Sequence, residues 1–206
     1  MTDFISIHPE NPQSRAIKQA SDIIANNGII AYPTDSAYAL GCNIGDKKSL
    51  DRIRQIRNLD KNHNFTLICS NLADLSLYAK VNNNAFRLLK KHIPGPYTFI
   101  FEATKEVPKR LQHSKRKTVG LRVPDNKICH HLLNQLGKPI MSVSLIVPNN
   151  DLPLIDGWSI YEELNGKVDA VIDGGTCQVS PSSVIDFSGD FVNIIRHGQG
   201  NTEAFE

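Results

Sequence analysis

Short apolar runs of strand character alternate along this chain with longer segments whose apolar residues recur every three or four positions. That alternation constrains the fold most, because strands separated by helices pack as a sheet between helical layers. Residues 29–32, 65–69, 97–102, 119–123, 140–144, 168–172, 183–187 and 192–195 read as strands. Asn11-Pro12 reads as a helix N-cap with proline at the first helical position. Ile17, Ala20 and Ile24 follow at helical spacing, and Gly28 reads as the stop. Residues 48–58 form a basic helix with Leu50, Ile53 and Ile56 inward, and 72–78, 83–91 and 128–136 are further helices, the last ended by Gly137. Pro94-Gly95-Pro96 forces a turn. No repeat, low-complexity tract or linker divides the chain, so the expectation is a single α/β domain over 1–206, built on a twisted, open, mixed sheet with flanking helices.

A chain of 206 residues with 40% hydrophobic content can bury a proper core. No window approaches 18 apolar residues, and the N-terminus lacks a basic segment followed by an apolar run. Neither a membrane span nor a secretory signal is expected, which makes the expected location cytoplasmic. Cys42, Cys69, Cys129 and Cys177 are scattered, with no C-x-x-C pair, and read as four reduced thiols rather than a zinc site or disulfides. His130 and His131 are adjacent but point in different directions on a helix, so a metal site made of protein ligands alone is not expected.

Charge is unevenly placed. Residues 1–150 hold 21 Lys and Arg against 11 Asp and Glu, whereas 151–206 hold 2 against 10. Lys109, Arg110, Lys115, Arg116 and Lys117 form one basic cluster, and Arg52, Arg54 and Lys61 belong to another. Such clusters attract polyanions through counterion release. Aromatic residues are not interleaved with them, so the partner they suggest is RNA held by phosphates and shape, double-stranded RNA or tRNA, rather than a stacked single strand. The competing reading is a solvated basic face neutralised by the acidic C-terminal segment.

From Tyr32 to Cys42 an apolar strand runs into a proline, then Thr34-Asp35-Ser36, then Gly41. Small hydroxyl groups after a strand lie where open α/β sheets bind ligands; an ordinary strand-to-turn transition is the alternative. The stretch from Gly41 to Ser49 is not a Walker loop, because its glycines are too close and Asp46 would repel a phosphate. Gly198-Gln199-Gly200 lacks the third glycine of a dinucleotide fingerprint, and no G-x-S-x-G elbow occurs.

Y-P-T-D-S-x-Y-A-L-G-C resembles the opening signature of the YrdC-like family, the threonylcarbamoyl-AMP synthases of tRNA modification and their relatives. Pro94-Gly95-Pro96-Tyr97-Thr98, Val119 to Pro124, Lys138 to Ser144, Pro181 to Asp186 and Ile194 to Gly198 follow in the family's order. The resemblance implies a concave basic cavity and a reaction joining L-threonine, bicarbonate and ATP with magnesium. It implies that Arg122 clamps the amino-acid carboxylate, a match of guanidinium to carboxylate. It also implies that Thr34 and Ser36 orient the substrate's hydroxyl and amino groups. Ser144 would donate to a phosphate, and Arg57, Ser182 and Arg196 would hold the nucleotide. Ser142 and Ser144 have a structural alternative, hydroxyls bonded to backbone, and Arg196 has another, an ion pair with a C-terminal carboxylate.

Two departures stand out. Where synthases carry K-x-R this chain has Arg57-Asn58-Leu59, and where they carry S-x-N it has Ser144-Leu145-Ile146. Losing one positioned donor to a transition state costs about 10²–10³ in rate. Lys61 and the 115–117 cluster are the candidates to restore the charge. The pattern resembles the YciO branch of the family, treated as RNA-binding proteins or paralogues rather than the main synthase. The expectation is an RNA- and nucleotide-binding protein with weak or redirected threonylcarbamoyl-adenylate chemistry. An active synthase is the alternative, and a hydrolase or transferase acting on another carbamoyl or adenylate substrate is a third reading. No residue is assigned a catalytic role.

Overall fold

Ten strands join in one sheet in the computed structural model, which describes residues 1–60, 63–148 and 153–206. In chain order the elements are β1 (Asp3–Ser6), α1 (Ser14–Ala25), β2 (Ile30–Tyr32), β3 (Ala39–Asn43), α2 (Lys47–Arg57) and β4 (Thr66–Ile68). Next come α3 (Leu72–Tyr78), α4 (Asn83–His92), β5 (Tyr97–Glu102), β6 (Thr118–Arg122), α5 (Lys127–Leu136) and β7 (Ile140–Ser144). Then follow α6 (Gly157–Leu164), β8 (Ala170–Asp173), β9 (Ser183–Asp186) and β10 (Asn193–Arg196). The spatial order is β1-β8-β2-β3-β7-β4-β6-β5-β9-β10. Parallel pairs (β1 with β8, β4 with β6, β5 with β9) mix with antiparallel ones, so the open, mixed α/β sheet expected from the sequence is the observed fold. Among the described residues no helix is long and apolar enough to cross a membrane.

Local chemistry sets the helix boundaries. Asp46, Asn71, Asn82 and Asn126 each cap a helix by accepting from the amide three residues on. Asp46 is therefore a cap at the start of α2, which disposes of the pseudo-Walker stretch. Asn11-Pro12 is not a cap: α1 begins at Ser14 after Gln13, which makes no side-chain cap bond. At the other end of α1 the left-handed residue is Asn27 (φ 63), not Gly28. Gly28 is required by close approach, because a Cβ there would lie 2.5 Å from Ile23 Cγ2.

Strand β3 and helix α6 have no counterpart in the sequence reading, nor does β1. β3 (Ala-Leu-Gly-Cys-Asn) lacks the β-branched residues that mark strands. Its small residues meet a packing need, since a Cβ on Gly41 would come within 2.7 Å of both the Tyr32 ring and Ile140.

The two faces of the sheet are covered unequally. Leu50 and Ile53 of α2, Leu75 of α3, Leu89 of α4 and Ile160 of α6 pack with Leu67, Phe99 and Leu121 on one face. Burying each such side chain contributes about 1.5–3 kcal/mol. On the other face Ile17, Ala20 and Ile24 of α1 and Ile128, Leu132 and Leu133 of α5 cover Ile30, Tyr32, Ala170 and Ile172. That cover belongs to the β1–β8–β2 side of the sheet, and the rest of this face is the floor of a cavity.

A candidate anion-binding site

Side chains two apart on a strand share a face. Thr118, Gly120 and Arg122 of β6 share one, as do Ser142 and Ser144 of β7, Thr66 and Ile68 of β4, and Thr98 and Ile100 of β5. All nine line a cavity of about 370 Å³. Thr34, Arg57, His63, Arg116, Ile146, Ser182 and Arg196 complete much of its wall. The site thus lies on the sheet face, with the loop after β2 forming only one side of it.

Arg122 occupies the centre of the electrostatics. Its Nη2 donates to Asp35 Oδ1, to Ser36 Oγ at 2.8 Å and to Thr34 Oγ1 at 3.5 Å. Asp35 Oδ2 accepts from the Asp125 amide at 2.9 Å, tying the β2–β3 loop to the segment after β6. Arg122 Nε is buried and has no hydrogen-bond partner among the described residues. Nη2 is therefore held by the protein, while Nη1 makes no hydrogen bond among the described residues and is the guanidinium nitrogen left for a carboxylate or phosphate.

The hydroxyls of Thr34 and Ser36, expected to orient a substrate, are engaged within the protein. Thr34 lines the cavity but spends its hydroxyl proton on Ala37 O (2.6 Å) and accepts from the Ser36 amide (3.1 Å). Ser36 is only 2% exposed, is not among the lining residues, and accepts from Arg122 Nη2. Ser142 is also committed, donating to Leu40 O at 3.0 Å and accepting from the Tyr32 hydroxyl at 2.8 Å. Ser144 lines the cavity, and its hydroxyl makes no hydrogen bond among the described residues.

Arg196 forks onto the Ser182 carbonyl with Nε at 3.0 Å and Nη2 at 2.8 Å, rather than pairing with a C-terminal carboxylate. Ser182 Oγ meets Thr98 Oγ1 at 2.8 Å. Partial burial lowers the Arg196 pKa, and the charge of Arg122 adds to the shift. Burial alone lowers that of Arg57, whose Nε is buried without a partner. Burial, followed by the charge of Arg57, lowers the pKa of His63, with Asp60 opposing. No carboxylate lines this cavity among the described residues.

Arg116, read from the sequence as part of an RNA surface, reaches the cavity wall, where its Nη1 pairs with Asp186 Oδ2 at 2.9 Å. Leu59 packs against the core instead of facing the cavity, whereas Ile146 lines it. Arg54, Lys109, Arg110 and Lys117 surround an adjoining hollow. Arg52 stands elsewhere, pairing with Asp169 at 2.9 Å, and exposed Lys115 lines neither hollow. Lys61 lies outside the described residues. Thr98 and Asp35 fall within quoted motifs but were given no role there, and Thr66 and Thr118 were not singled out; alternation along β4, β5 and β6 identifies the three threonines, but nothing local marks the part Asp35 plays.

No cluster of three or more His, Cys, Asp or Glu suited to a metal occurs among the described residues.

The Sua5/YciO/YrdC family model, described as "Telomere recombination", matches residues 22–198. An uncharacterized protein of Haemophilus influenzae is 53% identical over 206 residues, and YciO of Escherichia coli K12 is 48% identical over 205, each covering all of both chains. The crystal structure of E. coli YciO superposes with a TM-score of 0.96, covering 100% of both chains. Pyrococcus abyssi Sua5 complexed with L-threonine superposes at 0.88 with 25% identity, over 96% of this chain and 58% of that longer one. The chain belongs to the Sua5/YciO/YrdC family, in its YciO branch.

Proposed function

We propose that this protein binds nucleotides and RNA, double-stranded RNA or tRNA, and that its threonylcarbamoyl-adenylate chemistry is weak or redirected. The family's link to tRNA threonylcarbamoyladenosine formation supplies the context, and the cytoplasm is the proposed location. One observation carries the reading: Arg57, Arg116, Arg122 and Arg196 line one cavity with no lining carboxylate among the described residues. Asp35 and Asp186 offset two of those charges, and Arg57 and Arg196 make no ion pair among the described residues. The excess suits a ligand with at least two negative charges. Arg122 would take a carboxylate such as that of L-threonine, and Ser144, Ser182, Arg57 and Arg196 would hold an adenylate. Ile146 brings an apolar side chain where an amide donor would meet the nucleotide during adenylyl transfer with loss of pyrophosphate, which weighs against an efficient synthase.

Anisotropy of a labelled RNA duplex over a salt series tests the RNA part. Affinity should fall with a log–log slope of about −0.9 per phosphate contacted, estimated from DNA. Salt-insensitive or absent binding would overturn it.

The active-synthase reading draws support from Arg116, which brings to the cavity wall a cation absent from position 59. Magnesium would then be needed, carried by ATP. Pyrophosphate release from ATP, bicarbonate and magnesium, measured with and without L-threonine, separates the two readings. A strong threonine-dependent rate establishes the synthase.

A further inference from the structure

Beside the main cavity lies a hollow of about 290 Å³ lined by Arg54, Lys109, Arg110 and Lys117. His63, Asn64, Phe65 and Leu111 line both spaces and form the partition between them. No carboxylate lines this hollow among the described residues, and Lys109, Arg110 and Lys117 make no ion pair there. Its wall is built rather than loose. Leu111, 4% exposed, anchors a short 3-10 turn at Lys109–Leu111. His113 Nδ1 accepts from the amides of Lys115 (3.3 Å) and Arg116 (3.1 Å), bending the following chain back. Lys117 Nζ donates to Ser114 O at 2.8 Å, and Arg54 lies 5.6 Å from the Phe65 ring centroid.

We propose that this hollow is a phosphate subsite for an unpaired segment of a folded RNA such as tRNA, held by its phosphates, whose neighbouring nucleotide lies in the main cavity, the backbone passing over the His63–Phe65 partition. The inference rests on the nucleotide-binding reading of that cavity. The phosphates of a mononucleotide would be served by Arg57, Arg196 and Ser144 within the cavity; Arg54 is paired with Asp51 at 3.2 Å, and Lys109, Arg110 and Lys117 are the cations of the hollow that a mononucleotide leaves unused. A phosphodiester-linked chain supplies the next phosphate where those cations stand. The preferred ligand is therefore an oligonucleotide, and a mononucleotide fills only half of the site.

Calorimetric titration of AMP and of an oligoadenylate of about six nucleotides tests this. Both are titrated into the full chain and into a Lys109→Glu/Arg110→Gln variant, with Lys115→Glu as the charge control. The oligoadenylate should bind the wild type at least tenfold more tightly than AMP. The Lys109/Arg110 variant should lose that gain while keeping its AMP affinity, and should lower the salt slope by about 0.7 per phosphate contact removed. Lys115→Glu should keep the gain. AMP binding with no gain from the oligonucleotide, or a gain that survives in the Lys109/Arg110 variant, would overturn the hollow and leave the cavity reading standing. Absence of AMP binding to the wild type would overturn the cavity reading and the path that depends on it.

Discussion

Asp35 joins Arg122 to the Asp125 backbone, one carboxylate oxygen accepting from the guanidinium and the other from the amide. The Arg122 and Asp35 side chains are 8% and 9% exposed. A buried pair stripped of one charge leaves the other uncompensated, at a cost of about 3–5 kcal/mol. Asp35→Asn keeps an acceptor for the Asp125 amide and removes only the charge, so it should destabilise the protein by about 3 kcal/mol in urea unfolding. A loss below about 1 kcal/mol, the range of an exposed pair, would contradict this account.

His63 gives a pH dependence of defined sign. Its folded-state pKa lies below the ordinary 6.5 because of burial and the Arg57 charge. Its contribution to stability is present above pH 6.5 and is lost as pH falls through the lowered folded value. Denaturation midpoints should decrease as pH is lowered from about 6.5 to about 5, and His63→Asn should flatten that part of the profile. An unchanged slope in the variant would remove His63 from the explanation.

The four thiols should react slowly. Burial pushes Cys42 up to about 12 and Cys177 up to about 11, and raises Cys69 and Cys129 as well. The thiolate is the reactive form, so timed iodoacetamide labelling at about pH 8 should modify Cys177 first and leave the three buried thiols protected. Early labelling of Cys42 or Cys129 would show that the core opens more readily than its packing indicates.

The two motif departures are not equivalent in space. Ile146 lines the cavity, whereas Leu59 packs against the core. Ile146→Asn should place an amide against bound nucleotide and tighten ATP binding about tenfold, the value of a hydrogen bond to a charged group. Leu59→Arg should instead cost about 1–3 kcal/mol of stability by removing a packed apolar side chain. Calorimetry and urea unfolding of both variants check the contrast.

Much of this was legible in the chain because strand and helix periodicities are local. β5 and β7 appear at their expected bounds. Arg57, Arg122, Ser144, Ser182 and Arg196, singled out by the family resemblance and not by periodicity, converge on one cavity. β3 was not legible because its small residues answer to contacts with Tyr32 and Ile140, which are distant or across a turn. Arg116 was read as outer surface because its place depends on Asp186, seventy residues away. Asp35 gave no sign of its role, since its partners Arg122 and Asp125 arrive only through the pairing of β4 with β6 and of β4 with β7.

Calorimetric titration of ATP into the wild type, Arg57→Ala and Arg196→Ala tests the central claim most directly. The account predicts saturable binding that weakens with salt and falls at least about tenfold in each variant, the loss of one charge-assisted contact. Absence of wild-type binding, or equal affinity in all three proteins, would contradict the assignment of this arginine-lined cavity to a nucleotide.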